Sequence, residues 1–150
     1  AQDNIPPPSS ADRAFAVQLW DAMLRARLVG DNAVRTAPFK GGPTHTEVLE
    51  YLEQNVRVGF LDGLTVIKRN YTSQNGREVS VAKVWTDPKP YLMSITVMYR
   101  RRGYDPARKD WFWVEYEPGG AVTYAGKVEH CIVCHEPAEG KDYRFLPVAE

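Results

Sequence analysis

Residues 91–117, "YLMSITVMYRRRGYDPARKDWFWVEYE", contain two runs of branched and aromatic residues on either side of a segment with Gly, Asp and Pro. Short runs of this composition, separated by turn-forming residues, are typical of neighbouring antiparallel strands. The stretch therefore predicts a β-hairpin and places an antiparallel sheet at the centre of the fold.

The same pattern continues along the chain in both directions. Turn signals such as "SQNG", "DPKP" and "PGG" separate these segments from one another. Five segments share the pattern: 64–72, 77–85, 91–100, 110–117 and 121–129. We therefore expect a meander of about five antiparallel strands. Segment 46–55, "TEVLEYLEQN", fits a helix or a strand equally well.

A helix is predicted before the sheet, over residues 11–29. Apolar residues recur there at helical spacing: Phe15, Leu19, Met23 and Ala26. Ser10 is a suitable N-cap and Gly30 a suitable stop. The predicted class is α+β, an N-terminal helix followed by an antiparallel sheet and a short C-terminal turn that contains the cysteines.

Length and composition limit the range of functions. A chain of 150 residues with 43% hydrophobic residues can bury one core, so residues 11–150 are predicted as a single domain after a flexible leader, 1–10. Nineteen basic and nineteen acidic side chains cancel, which gives no reason to expect binding to nucleic acid. No apolar run reaches the roughly 20 residues of a membrane span.

Both cysteines of the chain lie in the pentapeptide Cys131-Ile132-Val133-Cys134-His135. The spacing C-x-x-C-H is the pattern of c-type haem attachment. Two thiols three positions apart on a helical turn can reach the two vinyl groups of one porphyrin, and the next imidazole can bind the iron. The pattern predicts one covalently attached haem c per chain, with His135 as an iron ligand.

Three other uses of the two thiols remain open. A zinc site would need a fourth ligand, for which the chain offers only His130 and His45. A redox dithiol normally opens a helix after a central strand, in an α/β pattern that this chain lacks. A disulfide between Cys131 and Cys134 would close a very small ring and stabilise little.

The position of the motif also carries information. Only fifteen residues follow His135, so the second side of a haem would be built from the preceding sheet. Thioether attachment takes place outside the cytoplasm. The polar, proline-rich start "AQDNIPPPSSADR" reads like the beginning of a mature exported protein, which together with the motif predicts a periplasmic location.

Three pieces of the chain resemble the cytochrome P460 and cytochrome c′-β group: "DGLTVIKRNY", "VMYRRRGYDPARKDWFWVEY" and "CIVCHEPAEGKDYRF". The resemblance implies a homodimer of β-rich subunits with one haem c each. It also implies one of three functions. P460 members oxidise hydroxylamine and use a lysine cross-linked to the porphyrin with a distal arginine and glutamate. The c′-β members bind nitric oxide at five-coordinate iron under a phenylalanine cap, and a third variant places a methionine on the iron for electron transfer.

Carried over by resemblance, Lys68 matches the cross-linking lysine, Leu49 the arginine position and Thr96 the glutamate position. Phe60 is the nearest match for the aromatic cap. The strand around Thr96 contains no carboxylate, and oxidation of hydroxylamine needs a base near the iron. The resemblance therefore favours a function other than catalysis.

Met98 is the candidate for the sixth iron ligand. It shares a strand face with Thr96 because side chains alternate with a period of two. Met93 points to the other face and becomes the candidate if the register differs by one residue. The predicted function is electron transfer by a periplasmic cytochrome with His135 and Met98 on the iron, and nitric oxide binding or hydroxylamine oxidation are the alternatives. The run 100–102, three arginines, is a possible docking patch for an acidic redox partner, which the sequence does not name.

Overall fold

The structure is a computed structural model that describes residues 7–42 and 46–144. Within these ranges it contains three α-helices and six strands. They are α1 (Ser10–Arg25), β1 (Phe39–Lys40), β2 (Val48–Val58), β3 (Leu61–Tyr71), α2 (Val81–Thr86), β4 (Leu92–Arg100), β5 (Trp111–Tyr116), β6 (Val122–Gly126) and α3 (Glu129–His135). The predicted α+β class, with an N-terminal helix and an antiparallel sheet, is confirmed.

The strands form one six-stranded antiparallel sheet in the order β1-β2-β3-β4-β5-β6. Each strand therefore pairs with the next one along the chain, as expected of a meander. Strands β2 and β3 are the longest pair and match residue for residue from Val48↔Tyr71 to Val58↔Leu61. None of the helices in the described ranges is long and apolar enough to cross a membrane.

Helix α1 packs on one face of the sheet and forms the larger core with it. Phe15 contacts Phe112 edge to face, with ring centroids 4.9 Å apart. The Tyr116 hydroxyl donates a hydrogen bond of 2.6 Å to the carbonyl of Ala16. The sequence pattern placed Phe15 and its helical neighbours in the core correctly, because the sheet covers one stripe of the helix.

A second cluster lies on the opposite face of the sheet, where α3 packs. Strand residues and residues of the C-terminal segment contribute to it: Val66, Met98, Trp111, Trp113, Val128, Ile132 and Tyr143. The sheet thus separates two apolar layers. The cysteine-containing helix belongs to the layer that does not contain α1.

The ends of α1 differ from the prediction. Ser9, not Ser10, is the N-cap, and its hydroxyl accepts a hydrogen bond from the Asp12 amide at 3.1 Å. The helix ends at Arg25 rather than at residue 29, because the backbone at Arg27 is left-handed, with a φ of 59°. The amide of Leu28 then bonds the carbonyl of Met23 at 2.9 Å, which is a Schellman ending. Of the predicted leader, residues 1–6 lie outside the described residues.

The strand predicted over 77–85 is wrong, because this segment contains helix α2. Its alternating valines suggested a strand. Ser80 instead caps a short helix through a 3.2 Å bond from the Lys83 amide, and only Val84 of that helix is buried. The ambiguous segment 46–55 supplies strand β2, and the connector before it supplies the two-residue strand β1.

A buried ion-pair network fixes the connector between α1 and β2. Glu50 on β2 is fully buried and lies 3.0 Å from Arg69 and 3.2 Å from Arg35. The carboxylate also accepts bonds from the Tyr71 hydroxyl and the Thr36 amide. Because these groups come from β2, β3 and the connector, the network ties the chain ahead of the sheet to the α1 face.

Candidate cofactor site

Helix α3 presents the two thiols and the imidazole of the cysteine motif. Cys131 is half-buried, Cys134 is exposed, and both are free rather than joined in a disulfide. Positions three apart on a helix lie on the same side of it, so the two sulfurs are neighbours. The predicted short helical turn is present as an α-helix that ends at His135.

His135 is buried, and contacts with Tyr143 and Trp113 help to fix its orientation. Its Nδ1 lies 2.6 Å from the carbonyl oxygen of Tyr143, and its ring meets that of Trp113 edge to face at 4.9 Å. A carbonyl only accepts, so Nδ1 carries the proton and Nε2 is the nitrogen suited to bind a metal. The hydrogen bond thus sets both the tautomer and the direction of the imidazole.

The sheet face on which α3 packs consists of rows of side chains, each row formed by residues that pair across neighbouring strands. One row is mainly polar and crosses five strands: Tyr51, Lys68, Thr96, Glu115 and Tyr124. The next row is largely apolar: Glu53, Val66, Met98, Trp113 and Gly126. The row on the other side contains Leu49, Asn70 and Ser94. The predicted site residues Leu49, Lys68, Thr96 and Met98 therefore share one face.

Met98 is the methionine that lies beside the cysteine helix. It is 5% exposed and belongs to the cluster that contains Ile132 of α3 and Trp113. Met93 is 44% exposed and lies outside that cluster, whereas Met23 is buried in α1 on the opposite face of the sheet. These are all three methionines of the chain.

A family model described as Cytochrome P460 matches residues 43–146, which is more than half of the chain. The chain belongs to the cytochrome P460 family. Membership implies a haem cofactor. Comparison with curated proteins and with solved structures gives no match.

The residues of this P460-family protein fit a haem. Two thiols and an imidazole lie on one helix, α3. This helix packs on a sheet face that contains apolar residues. Among the described residues that face also contains buried polar atoms without a hydrogen-bond partner, Trp113 Nε1 and Asn70 Oδ1. Cys131, Cys134 and His135 would hold the group. In their present environment burial, followed by the charge of Glu115, raises the pKa of the Cys131 thiol to about 12.

Lys68 is buried on the side of β3 that shares a face with Val66 and Met98. Burial lowers the pKa of its amine from 10.5 to about 8, because the charged form loses its hydration there. Its Nζ lies 5.9 Å from the centre of the Tyr51 ring. Thr96, on the neighbouring strand, accepts a bond of 3.2 Å from the side-chain amide of Asn70.

Glu115 is a residue of this face of the P460-family protein that the sequence pattern did not single out. It pairs with Thr96 across the strands and therefore lies on the same face. Burial raises the pKa of its carboxyl group, although a hydrogen bond from Ser94 and the charge of His130 lower it. Glu115 lies on β5, and the strand of Thr96 itself contains no carboxylate. The alternation in "WFWVEY", which puts Trp113 and Glu115 on one face, could have revealed it.

Other predicted features lie away from the site or have other partners. Phe60 is fully exposed. It lies in the tight turn that joins the long strands β2 and β3, and it is not part of the cluster that contains Met98. His130 is exposed and packs against Tyr124 at 4.9 Å, whereas His45 lies outside the described residues. Within 7–42 and 46–144, no three His, Cys, Asp or Glu side chains come together in a way that could hold a metal ion.

The arginine patch predicted at 100–102 is not a free basic surface. Arg100 forms an ion pair with Asp142 and lies 4.4 Å over the ring of Trp111. Arg101 lies 4.0 Å over the ring of Phe15. These two side chains therefore attach the turn after β4 to its neighbours.

Proposed function

We propose that this P460-family protein is a mono-haem c-type cytochrome that transfers electrons. Cys131 and Cys134 would hold the haem covalently, and His135 and Met98 would bind its iron. One observation carries the proposal: Met98 is the methionine that is buried on the sheet face covered by α3, next to the Trp113 that contacts His135. A thioether in this place supplies the soft ligand that the sequence reasoning expected.

The chemistry follows from the ligands and their surroundings. Haem c supplies a one-electron couple between ferric and ferrous iron. A methionine sulfur favours the ferrous state and raises the reduction potential relative to harder ligands. Val66 and Trp113, which flank Met98 on the paired strands, are almost fully buried and exclude water. Strands paired on both sides keep this wall rigid.

Location and assembly belong to the same proposal. Covalent attachment of haem takes place outside the cytoplasm, which supports a periplasmic location. The family resemblance supports a homodimer with one haem per chain. An electron carrier also needs a redox partner protein, and the arginine run offers little to it, since Arg100 and Arg101 are bound within the chain.

Met98→Ala is expected to convert the ferric protein from low spin to high spin, because the strong sixth ligand is lost. The optical spectrum should lose the weak ferric sulfur-to-iron band near the red edge. Met93→Ala is the matched control, since Met93 is exposed and outside the cluster. A low-spin spectrum that survives Met98→Ala would contradict the assignment of this ligand.

A second function, oxidation of hydroxylamine, is favoured by one observation of its own. The structure brings a half-buried carboxylate, Glu115, and a buried amine, Lys68, to the same row as Thr96. A base near the iron could therefore come from β5, although the strand of Thr96 has no carboxylate. A Lys68 amine of lowered pKa is also a better nucleophile for a cross-link to the porphyrin.

Peptide mass spectrometry separates the two functions. For the electron carrier we expect trypsin to cleave after Lys68 and to release peptides of unmodified mass. A cross-linked Lys68 would block this cleavage and join its peptide to the haem peptide that contains Cys131 and Cys134. Lys83, exposed on α2, serves as the reference site for complete digestion. A joined peptide would favour hydroxylamine oxidation over electron transfer.

The nitric oxide alternative makes a different spectroscopic prediction. It requires five-coordinate iron, so the wild-type ferric protein would be high spin and Met98→Ala would change little. The predicted aromatic cap, Phe60, gives it no support in the isolated chain, because this side chain is fully exposed.

A further inference from the structure

The Tyr143 carbonyl that accepts the His135 hydrogen bond belongs to a segment with an unusual backbone. Asp142 and Tyr143 have φ values of 62° and 60°, in the left-handed region that residues other than glycine rarely adopt. Two such residues in succession are strained, so surrounding contacts must hold them. We call residues 142–144 the strap.

Arg100 and Trp111 hold the first residue of the strap. The Arg100 guanidinium forms an ion pair with the Asp142 carboxylate and stacks 4.4 Å over the Trp111 ring. Trp111 is fully buried, and its Nε1–H donates a bond of 3.0 Å to the Asp142 carbonyl. Arg100 thus holds the carboxylate of Asp142, which also lies 3.8 Å from Arg144 Nε, and a rigid ring holds its carbonyl.

The rest of the strap is held as well. The Tyr143 amide bonds the carbonyl of Ala138 at 2.8 Å. The Arg144 guanidinium bonds Glu53 of β2 at 2.8 Å. The Asp142 and Tyr143 carbonyls are consecutive, so fixing the first limits the directions that the second can take. The second is the one that meets His135 Nδ1 at 2.6 Å.

We propose that Arg100 and Trp111 are positioning residues that act through the strap on His135. They hold the Tyr143 carbonyl against Nδ1 and thereby set how strongly the imidazole donates to iron. A firm acceptor at Nδ1–H makes the imidazole more basic, which stabilises ferric iron and lowers the reduction potential. The inference rests on the proposed role of His135 as an iron ligand.

Two substitutions of opposite charge test the inference in the haem-loaded protein. Arg100→Gln removes a cation and Asp142→Asn removes an anion, and asparagine tolerates the left-handed backbone. Both break the ion pair and loosen the strap. We expect both to raise the reduction potential. We also expect both to speed solvent exchange of the His135 Nδ1 proton, followed by NMR, by about tenfold, as for one weakened hydrogen bond.

A charge effect acting through space gives a different result. Loss of the Arg100 cation would lower the potential, and loss of the Asp142 anion would raise it. Opposite shifts with an unchanged exchange rate would overturn the inference. Arg102→Gln is the matched control, because Arg102 is exposed in the same turn, and it should change neither quantity.

Two further variants make the test independent of one substitution. Trp111→Phe keeps the aromatic ring but lacks the Nε1–H donor, so it should speed exchange in the same direction. A Trp111→Phe protein with wild-type exchange would count against the inference even if Arg100→Gln failed to accumulate. His135→Ala separately tests the role of His135 as an iron ligand. If this substitution left the iron spectrum unchanged, the proposed function would be wrong, and the inference about the strap would be wrong with it.

Discussion

Replacing both Cys131 and Cys134 by alanine is expected to abolish covalent haem attachment. Wild-type protein should carry the mass of its chain plus one haem and should keep its colour when extracted with acidified acetone. The double variant has no sulfur with which to form a thioether, since the chain contains no other cysteine. It should have the mass of the chain alone and release any haem it has bound.

Single substitutions make this experiment quantitative. Cys134 is exposed and Cys131 is half-buried against the sheet. Each single variant retains one thiol and should hold haem through one thioether. A double variant that still retained haem through acid extraction would mean that another residue forms the covalent bond, with Lys68 as the first candidate. A colourless wild-type protein from a host able to mature c-type cytochromes would contradict haem c altogether.

Glu50→Ala is expected to destabilise the fold by about 3–5 kcal/mol, because it leaves a buried cation without its partner. Arg69, the partner, is 4% exposed and would keep only its bonds to the carbonyls of Leu28 and Val34. A loss of this size is a large part of the free energy of unfolding of a domain, which is roughly 5–15 kcal/mol. Urea unfolding of the haem-loaded protein measures the change.

A surface ion pair provides the control for this substitution. Arg57 and Asp62 lie 3.8 Å apart, and both side chains are about two-thirds exposed, at 68% and 67%. Asp62→Ala should change stability by less than about 1 kcal/mol. An equal loss for Glu50→Ala and Asp62→Ala would show that the buried network does not stabilise the connector.

The same network makes stability depend on acid. Burial alone would raise the pKa of Glu50, but the Tyr71 hydroxyl, Arg69 and the other donors outweigh it and lower the pKa below its ordinary 4.5. A carboxyl group with a lowered folded-state pKa stabilises the protein fully above its unfolded value. That contribution disappears as the pH falls through the folded-state pKa. Glu50→Gln should therefore reduce the loss of stability below about pH 4.5.

Local patterns predicted most of the fold. The apolar spacing of Phe15, Leu19 and Met23 gave the helix, and runs of branched and aromatic residues gave four of the six strands, because both signals repeat within a few residues. The segment 77–85 failed because a single capping serine, Ser80, outweighed its alternation. The role of Phe60 as a cap stays a prediction, because its place relative to the site depends on where the hairpin turns, which the local pattern does not contain.

Neighbouring residues are enough to predict the class of the fold and to recognise the haem motif, since both are local patterns. The tertiary structure decided what surrounds that motif. It placed Glu115 beside Thr96, committed Arg100 to Asp142, and put Met98 rather than Met93 under α3. These relations join residues far apart in the chain. They depend on strand register and on the packing of α3, and a local pattern contains neither.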